Sequence, residues 1–162
     1  MGKKSQPKPT QIIEKFLKEI HWARFSPRFQ VIVTHGMLEL LVNELVEHSC
    51  KHGKKISEDT RTYPHSVKLV LLHEKEVISD HEYDLLNAWR GVRNDAAHGA
   101  QFELTHEVLN TFKGFKSSDG MLDFGDPENF TQLCCHTFGE LWNNHNVIFT
   151  PIFEPQTPPS HN

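Results

Sequence analysis

Between Asp80 and Gly99 the chain carries Asn87, Arg90, Arg93, Asn94 and His98, a set of polar side chains with the means to act on a phosphodiester. Asn87, Arg90 or Gly91, Asn94 and His98 follow one another at intervals of three or four residues, the spacing that stacks side chains on one helix face, with Arg93 on its flank. Cleaving RNA without a metal needs a group to take the 2′-hydroxyl proton and another to protonate the departing 5′-oxygen. It also needs positive charge near the phosphorane oxygens. An imidazole titrates close to neutral pH, so His98 suits the proton transfers. The planar guanidinium of Arg93 matches two phosphate oxygens, and Arg90 adds a second cation. Asn94, one turn ahead of His98, is placed to orient the imidazole or to bind phosphate. One chain supplies a single such histidine, whereas two copies of this helix about a two-fold axis would supply a pair. A plainer reading uses the same residues: Arg90 and Arg93 pair with Asp84, Asp95 or Glu82 on a surface, and His98 is a favourable charge at a helix C-terminus.

The element that must position this set is a helix over Asp80 to Gly99. Tyr83, Leu85, Leu86, Trp89, Val92 and Ala96 recur at helical spacing and form a core stripe opposite the polar row. Ser79 or Asp80 is the expected N-cap, Glu82 lies in the first turn, and Gly99 is a natural stop. Gly91 weakens the helix by roughly 1 kcal/mol relative to alanine, which points to close packing at that position.

At these residues the sequence resembles a family. Arg93-Asn94-Asp95-Ala96-Ala97-His98 is similar to the motif of HEPN domains, an arginine and a histidine separated by four to six residues. HEPN domains are small all-helical proteins, many of them RNases that act as toxins or in defence against phage. The looser likeness runs from about Phe29 to Gly99 as a long helix, a loop, a shorter helix and the motif helix. The resemblance implies an all-α bundle of about five helices and a homodimer with a composite active site. It further implies metal-independent endoribonuclease activity, with no cofactor, leaving 2′,3′-cyclic phosphate ends. Arg93, His98 and Asn94 would then be catalytic and Arg90 would bind substrate; RNA is the implied partner, with an antitoxin protein as another. The same layout looks like the mannitol operon repressor and its relatives, which implies an alternative, a non-catalytic dimeric regulator or interaction module.

The rest of the chain reads as further helices. Residues 1–9 are rich in Lys and Pro and are expected to form a disordered tail. Gln11–Arg24 shows Ile12, Ile13, Phe16, Leu17 and Ile20 at helical spacing behind Thr10 as cap. After Pro27, a longer helix is expected from Arg28 to Cys50, apolar over most of its circumference and therefore buried on more than one side. Lys51–Tyr63 reads as a loop whose Lys51, Lys54 and Lys55 form the densest basic patch, a candidate guide for an RNA strand or simply a solvated loop. Helices are expected at His65–Glu76, at Thr105–Phe112 and, after the start signal Asp126-Pro127-Glu128, through Asn144. Lys113–Gly125 reads as a mobile loop, and residues 147–162, with four prolines, as an extended tail outside a helical domain of residues 10–146.

Composition narrows the function. The 162 residues suit one domain with a sizeable core, and a net charge of −4 disfavours a protein that coats nucleic acid through its overall field. RNA contact would have to come from a local cluster. Three cysteines without paired spacing fit a reducing compartment, and with no apolar run taken as a membrane span and no signal-peptide core, the expected location is the cytoplasm. His48, Cys50 and His52 make a pair of histidines one turn apart beside a thiol, but no second ligand pair follows. Cys134-Cys135-His136 is adjacent rather than spaced, so no metal site is expected. Trp89 and Trp142 fall at core positions and are read as packing rather than as base-stacking platforms.

Overall fold

The computed structural model describes residues 9–115 and 123–153. The expected disordered N-terminus, the centre of the expected mobile loop and the end of the tail lie outside the described residues. Within them the chain is all-helical: α1 Pro9–Ala23, α2 Pro27–Ser49, α3 Gly53–Glu58, α4 His65–Glu74, α5 Asp80–His98, α6 His106–Asn110, a 3-10 turn at Pro127–Asn129, α7 Phe130–Asn144 and α8 Asn146–Phe153. The expected long helices are present to within a residue or two. The number of helices is larger than expected, for two physical reasons.

The first is α3, inside the segment expected to be a loop. A six-residue helix has little propensity of its own and depends on packing. Gly53 supplies the contact. A Cβ there would overlap the Glu47 backbone and the Val46 carbonyl oxygen, so only glycine lets α3 lie directly against the end of α2. The second is α8, where the sequence reads as an extended tail. Residues 146–153 are helical despite Pro151, and Phe149 and Phe153 are buried against Trp142, with ring centroids at 5.4 and 5.6 Å. Aromatic burial outweighs the local preference against a proline helix.

Helix α2 is the centre, touching α1, α3, α4, α5, α7 and α8. Val31, Leu38, Leu41, Val42, Leu45 and Val46 are fully buried along it. By length and a mean hydropathy of 1.3 it also meets the composition of a membrane-crossing helix, contrary to the expectation that no apolar run does. Here other helices cover it, and it carries the buried polar residues Gln30, Thr34 and His35. The covering is incomplete. Phe29 and Ile32, with Phe25 before them, remain 63%, 39% and 82% exposed.

Helix α4 inverts the simple pattern. Val67 and Val70 face outward, whereas Lys68 is fully buried. Its Nζ donates to Asn43 Oδ1 at 2.8 Å and to the Ser57 carbonyl at 2.9 Å, while Ser57 Oγ donates to Glu47 Oε1. One lysine thus ties α2, α3 and α4 together. Burial lowers its pKa, opposed by the charges of Glu39 and Glu47.

Helix α5 has the expected two faces. Leu85, Leu86, Trp89, Val92 and Ala96 are buried, and Trp89 Nε1 donates to Thr137 Oγ1 of α7 at 3.0 Å. Ser79 is the N-cap, and with Glu82 it forms a capping box. Glu82 does more than cap. It is buried, and it accepts from His145 Nε2 at 2.9 Å and Asn144 Nδ2 at 3.2 Å, joining the start of α5 to the end of α7. Burial pushes the Glu82 carboxyl up, but the hydrogen bonds from His145, the Ser79 backbone and Asn144 outweigh it and bring its pKa to about 2. A carboxylate with a depressed folded pKa contributes stability that is complete above its unfolded value of 4.5 and lost as pH falls toward 2. Glu82→Gln is therefore expected to cost about 2–3 kcal/mol at pH 7. The difference from wild type should shrink between pH 5 and pH 2. Urea melts across that range check it: a constant difference would mean that Glu82 acts by packing alone.

Candidate functional site

The C-terminal half of α5 is held in place by α2. Arg28, at the start of α2, donates through Nη2 to the carbonyl of Gly99, just past the last turn of α5. Gly99 ends the helix as expected, but not through a left-handed conformation: its φ is −70°. Glycine is needed because a Cβ would sit 2.8 Å from the Asp95 carbonyl oxygen. Helices α2 and α5 therefore run antiparallel, with His35 of α2 beside the arginines of α5.

Three of the sequence-predicted residues come together. Arg90, Arg93 and Asn94 line a cleft of about 320 Å³ between α5, α2 and α4. Arg90 Nε donates to Asn87 Oδ1 at 3.3 Å, and Arg93 Nη1 to Asn94 Oδ1 at 3.3 Å. Neither guanidinium has a carboxylate within 4.0 Å among the described residues, so the surface ion pairs of the plainer reading do not form. Of their proposed partners, Glu82 is engaged with His145 at the far end of the helix.

His98 is placed elsewhere. It is exposed and lines a neighbouring groove of about 710 Å³ with Asn94, Asp95, Gly99 and Gln101. Asn94 is the wall shared by cleft and groove, so within one protomer the motif arginine and the motif histidine serve adjacent concavities. Gly91 lies on the same exposed face. Among the described residues the close neighbour expected there is absent: nothing comes within 4 Å of a Cβ built at Gly91. Lys51, Lys54 and Lys55 are exposed around the turn into α3, Lys54 pairs loosely with Glu58 at 4.0 Å, and none of the three lines the cleft. His52 is the N-cap of α3, and Cys50 ends α2.

Sequence reasoning missed the cleft's floor. His35 from α2 and His65 from the first turn of α4 meet with ring centroids 5.0 Å apart and planes at 61°, edge to face. His35 is 5% exposed. His35 Nε2 and both ring nitrogens of His65 are buried without a hydrogen-bond partner among the described residues. The two residues are thirty apart in the chain, so no local spacing announces them. The only available signal was a histidine within the apolar run of α2. Burial, and then the charges of Arg93 and Arg90, lower the His35 pKa to about 4. Burial, the neighbouring His35, and the charges of Lys68, Arg90 and Arg93 lower that of His65 to about 3. Both imidazoles are neutral at pH 7. Elsewhere, a concavity of about 760 Å³ at the N-terminal end of α5 carries two ion pairs, His73 with Asp80 at 2.7 Å and His145 with Glu82, beside the carboxylates of Glu74 and Glu76.

Because the pair is neutral when folded and titrates near 6.5 when unfolded, the unfolded chain binds more protons as pH falls below 6.5. Stability should therefore fall from pH 6.5 toward pH 4, by on the order of 3 kcal/mol for each histidine at the lower limit. His65→Gln removes one of the titrations and should flatten that slope in denaturant melts. An unchanged slope would show that His65 is already protonated in the fold.

Neither a family model nor a curated protein nor a solved structure matches this chain.

Proposed function

We propose that this chain is a metal-independent endoribonuclease of HEPN type that acts as a homodimer, with a composite active site, as a toxin or defence effector. One observation carries the reading. Arg93, Asn94 and His98 lie along the half of α5 not used by the core, Arg93 and Asn94 on the cleft and the exposed His98 on the adjacent groove, with Gly91 open to the approach of another helix. Two such faces meeting about a two-fold axis would pool two histidines and two arginines. The apolar residues Phe29 and Ile32, left exposed on the neighbouring α2, and Phe25 just before it favour a second copy as the covering surface.

The chemistry follows from that pooling. A neutral His98 takes the proton of the ribose 2′-hydroxyl as its oxygen attacks the adjacent phosphorus. The Arg93 guanidiniums hold the equatorial oxygens. The second copy's His98, protonated, gives its proton to the departing 5′-oxygen, and the products are a 2′,3′-cyclic phosphate and a free 5′-hydroxyl. RNA is the substrate, no metal takes part in the step, and an antitoxin protein would act by covering the cleft.

The second reading, a dimeric regulator or interaction module without catalysis, of the kind suggested by the likeness of the helical layout to the mannitol operon repressor, is favoured by the separation of Arg93 and His98 into adjacent concavities. Cleavage assays in EDTA decide between them. His98→Ala is expected to lower the rate about 100- to 10,000-fold while the fold is kept, and Arg93→Lys to lower it strongly through loss of the bidentate fork. Mixing wild-type subunits with an excess of His98→Ala subunits should suppress the wild-type rate if the site is shared, because a mixed dimer keeps only one of the two histidines the step needs. RNA left intact by pure wild-type protein, or equal cleavage by wild type and His98→Ala, would support the regulator instead.

Assembly is tested separately. Gly91→Trp fills the open position and should weaken dimer and activity together while the helical circular-dichroism signal stays. A wild-type chain that sediments as a monomer and still cleaves RNA would refute the shared site.

A further inference from the structure

We infer that the cleft between α2, α4 and α5 is a binding site for a phosphate group, gripped by Arg90 and Arg93 above the His35–His65 pair. The inference rests on the cleft's own chemistry and stands whether or not the chain cleaves RNA.

The unsatisfied imidazoles come first. A neutral imidazole has one N–H to donate and one nitrogen that accepts. His35 Nε2 and both nitrogens of His65 are shut off from solvent, and the edge-to-face packing of the rings makes no hydrogen bond between them. Leaving such groups without partners is costly, about 1–3 kcal/mol apiece, and a protein keeps that cost where a ligand relieves it. Oxygen atoms that accept from these rings are the natural complement.

The second observation is the pair of guanidiniums. Each arginine has five N–H donors, and here each is engaged by one asparagine oxygen, with no carboxylate in range among the described residues. Two guanidiniums on successive turns of one helix, aimed into one cleft, suit a tetrahedral oxyanion better than any neutral group. The single carboxylate on the lining is that of Glu39, so the cleft keeps a local excess of positive charge on a chain whose net charge is −4. The Ser66 hydroxyl adds a neutral donor at the rim. A metal is not the complement, because no third His, Cys, Asp or Glu joins the pair in ligand geometry among the described residues.

The ligand is accordingly a phosphate ester, either the diester of an RNA backbone or the monoester of a nucleotide or strand end. Binding also couples to protons. An anion seated over the rings favours imidazolium, with Glu39 of α2 on its side and Arg90, Arg93 and Lys68 opposing it, so phosphate should raise the titration midpoints of His35 and His65.

The test is a titration of the full chain with inorganic phosphate at constant ionic strength, read on the histidine ring signals by NMR. Saturable shifts are expected at His35 and His65. Arg90→Gln and Arg93→Gln, both at half-exposed positions that spare the core, should each weaken binding about tenfold or more. Competition by a deoxyribose oligonucleotide, which cannot be cleaved, identifies a backbone source. Competition by a nucleoside 5′-monophosphate identifies a terminal one. His35 and His65 signals that do not move with phosphate, or phosphate affinity unchanged in both arginine variants, would overturn the site.

Discussion

Helix α2 can be buried on most of its circumference only if the polar groups it carries inward find partners, and the rest of the fold depends on how that constraint is met. A buried donor or acceptor left unpaired costs about as much as a good hydrogen bond contributes, so the neighbours of α2 are arranged around its polar residues. Gln30 Nε2 donates to Thr131 Oγ1 of α7 at 2.7 Å. At the edge of the buried face, half-buried Asn43 accepts from the Lys68 ammonium of α4, and the more exposed Glu47 accepts from Ser57 of α3. Each pairing crosses to a different helix, so each fixes the register of one neighbour against the centre. Among the described residues Thr34 Oγ1 and His35 Nε2 are left without a hydrogen-bond partner, and at His35 the cleft begins.

The same logic explains why α5 is so firmly placed. Its first turn is locked through Glu82 to Ser79, Asn144 and His145, and its last turn through Gly99 to Arg28. With both ends fixed and Trp89 bonded to Thr137 in the middle, the arginines have little freedom to choose another face. Their side chains stand over α2 and α4, while His98, one turn further on, faces outward. The division between an arginine cleft and a histidine groove is thus a consequence of helix geometry and two anchored ends. For a reaction that needs both groups on one phosphate, a second copy of the helix is the direct way to bring them together.

Charge is distributed to the same effect. The chain as a whole is acidic, yet two guanidiniums share one cleft in which Glu39 is the single opposing carboxylate. A field of this kind acts at short range, where burial limits screening.

Much of the helical framework was legible in the residues alone. The apolar spacing of α1, α2, α5 and α7 follows from the period of the helix, and the Ser79–Glu82 box and Asp126-Pro127 mark starts through local hydrogen bonding that needs no tertiary partner. For the same reason the alignment of Asn87, Arg90, Asn94 and His98 on one side of α5, and the burial of Trp89 on the other, could be read directly. Tertiary structure alone decided the rest. Helix α3 exists because Gly53 allows contact with α2, and α8 because Phe149 and Phe153 find Trp142; neither has a local signal strong enough to compete with the loop and proline chemistry around it. Lys68 points inward because Asn43 and Ser57 wait there, while Val67 and Val70 of the same helix face out. The meeting of His35 with His65 beneath the arginines belongs to the same class. Residues thirty positions apart are brought within 5.0 Å by the packing of α4 on α2, and no periodicity within either helix encodes that contact.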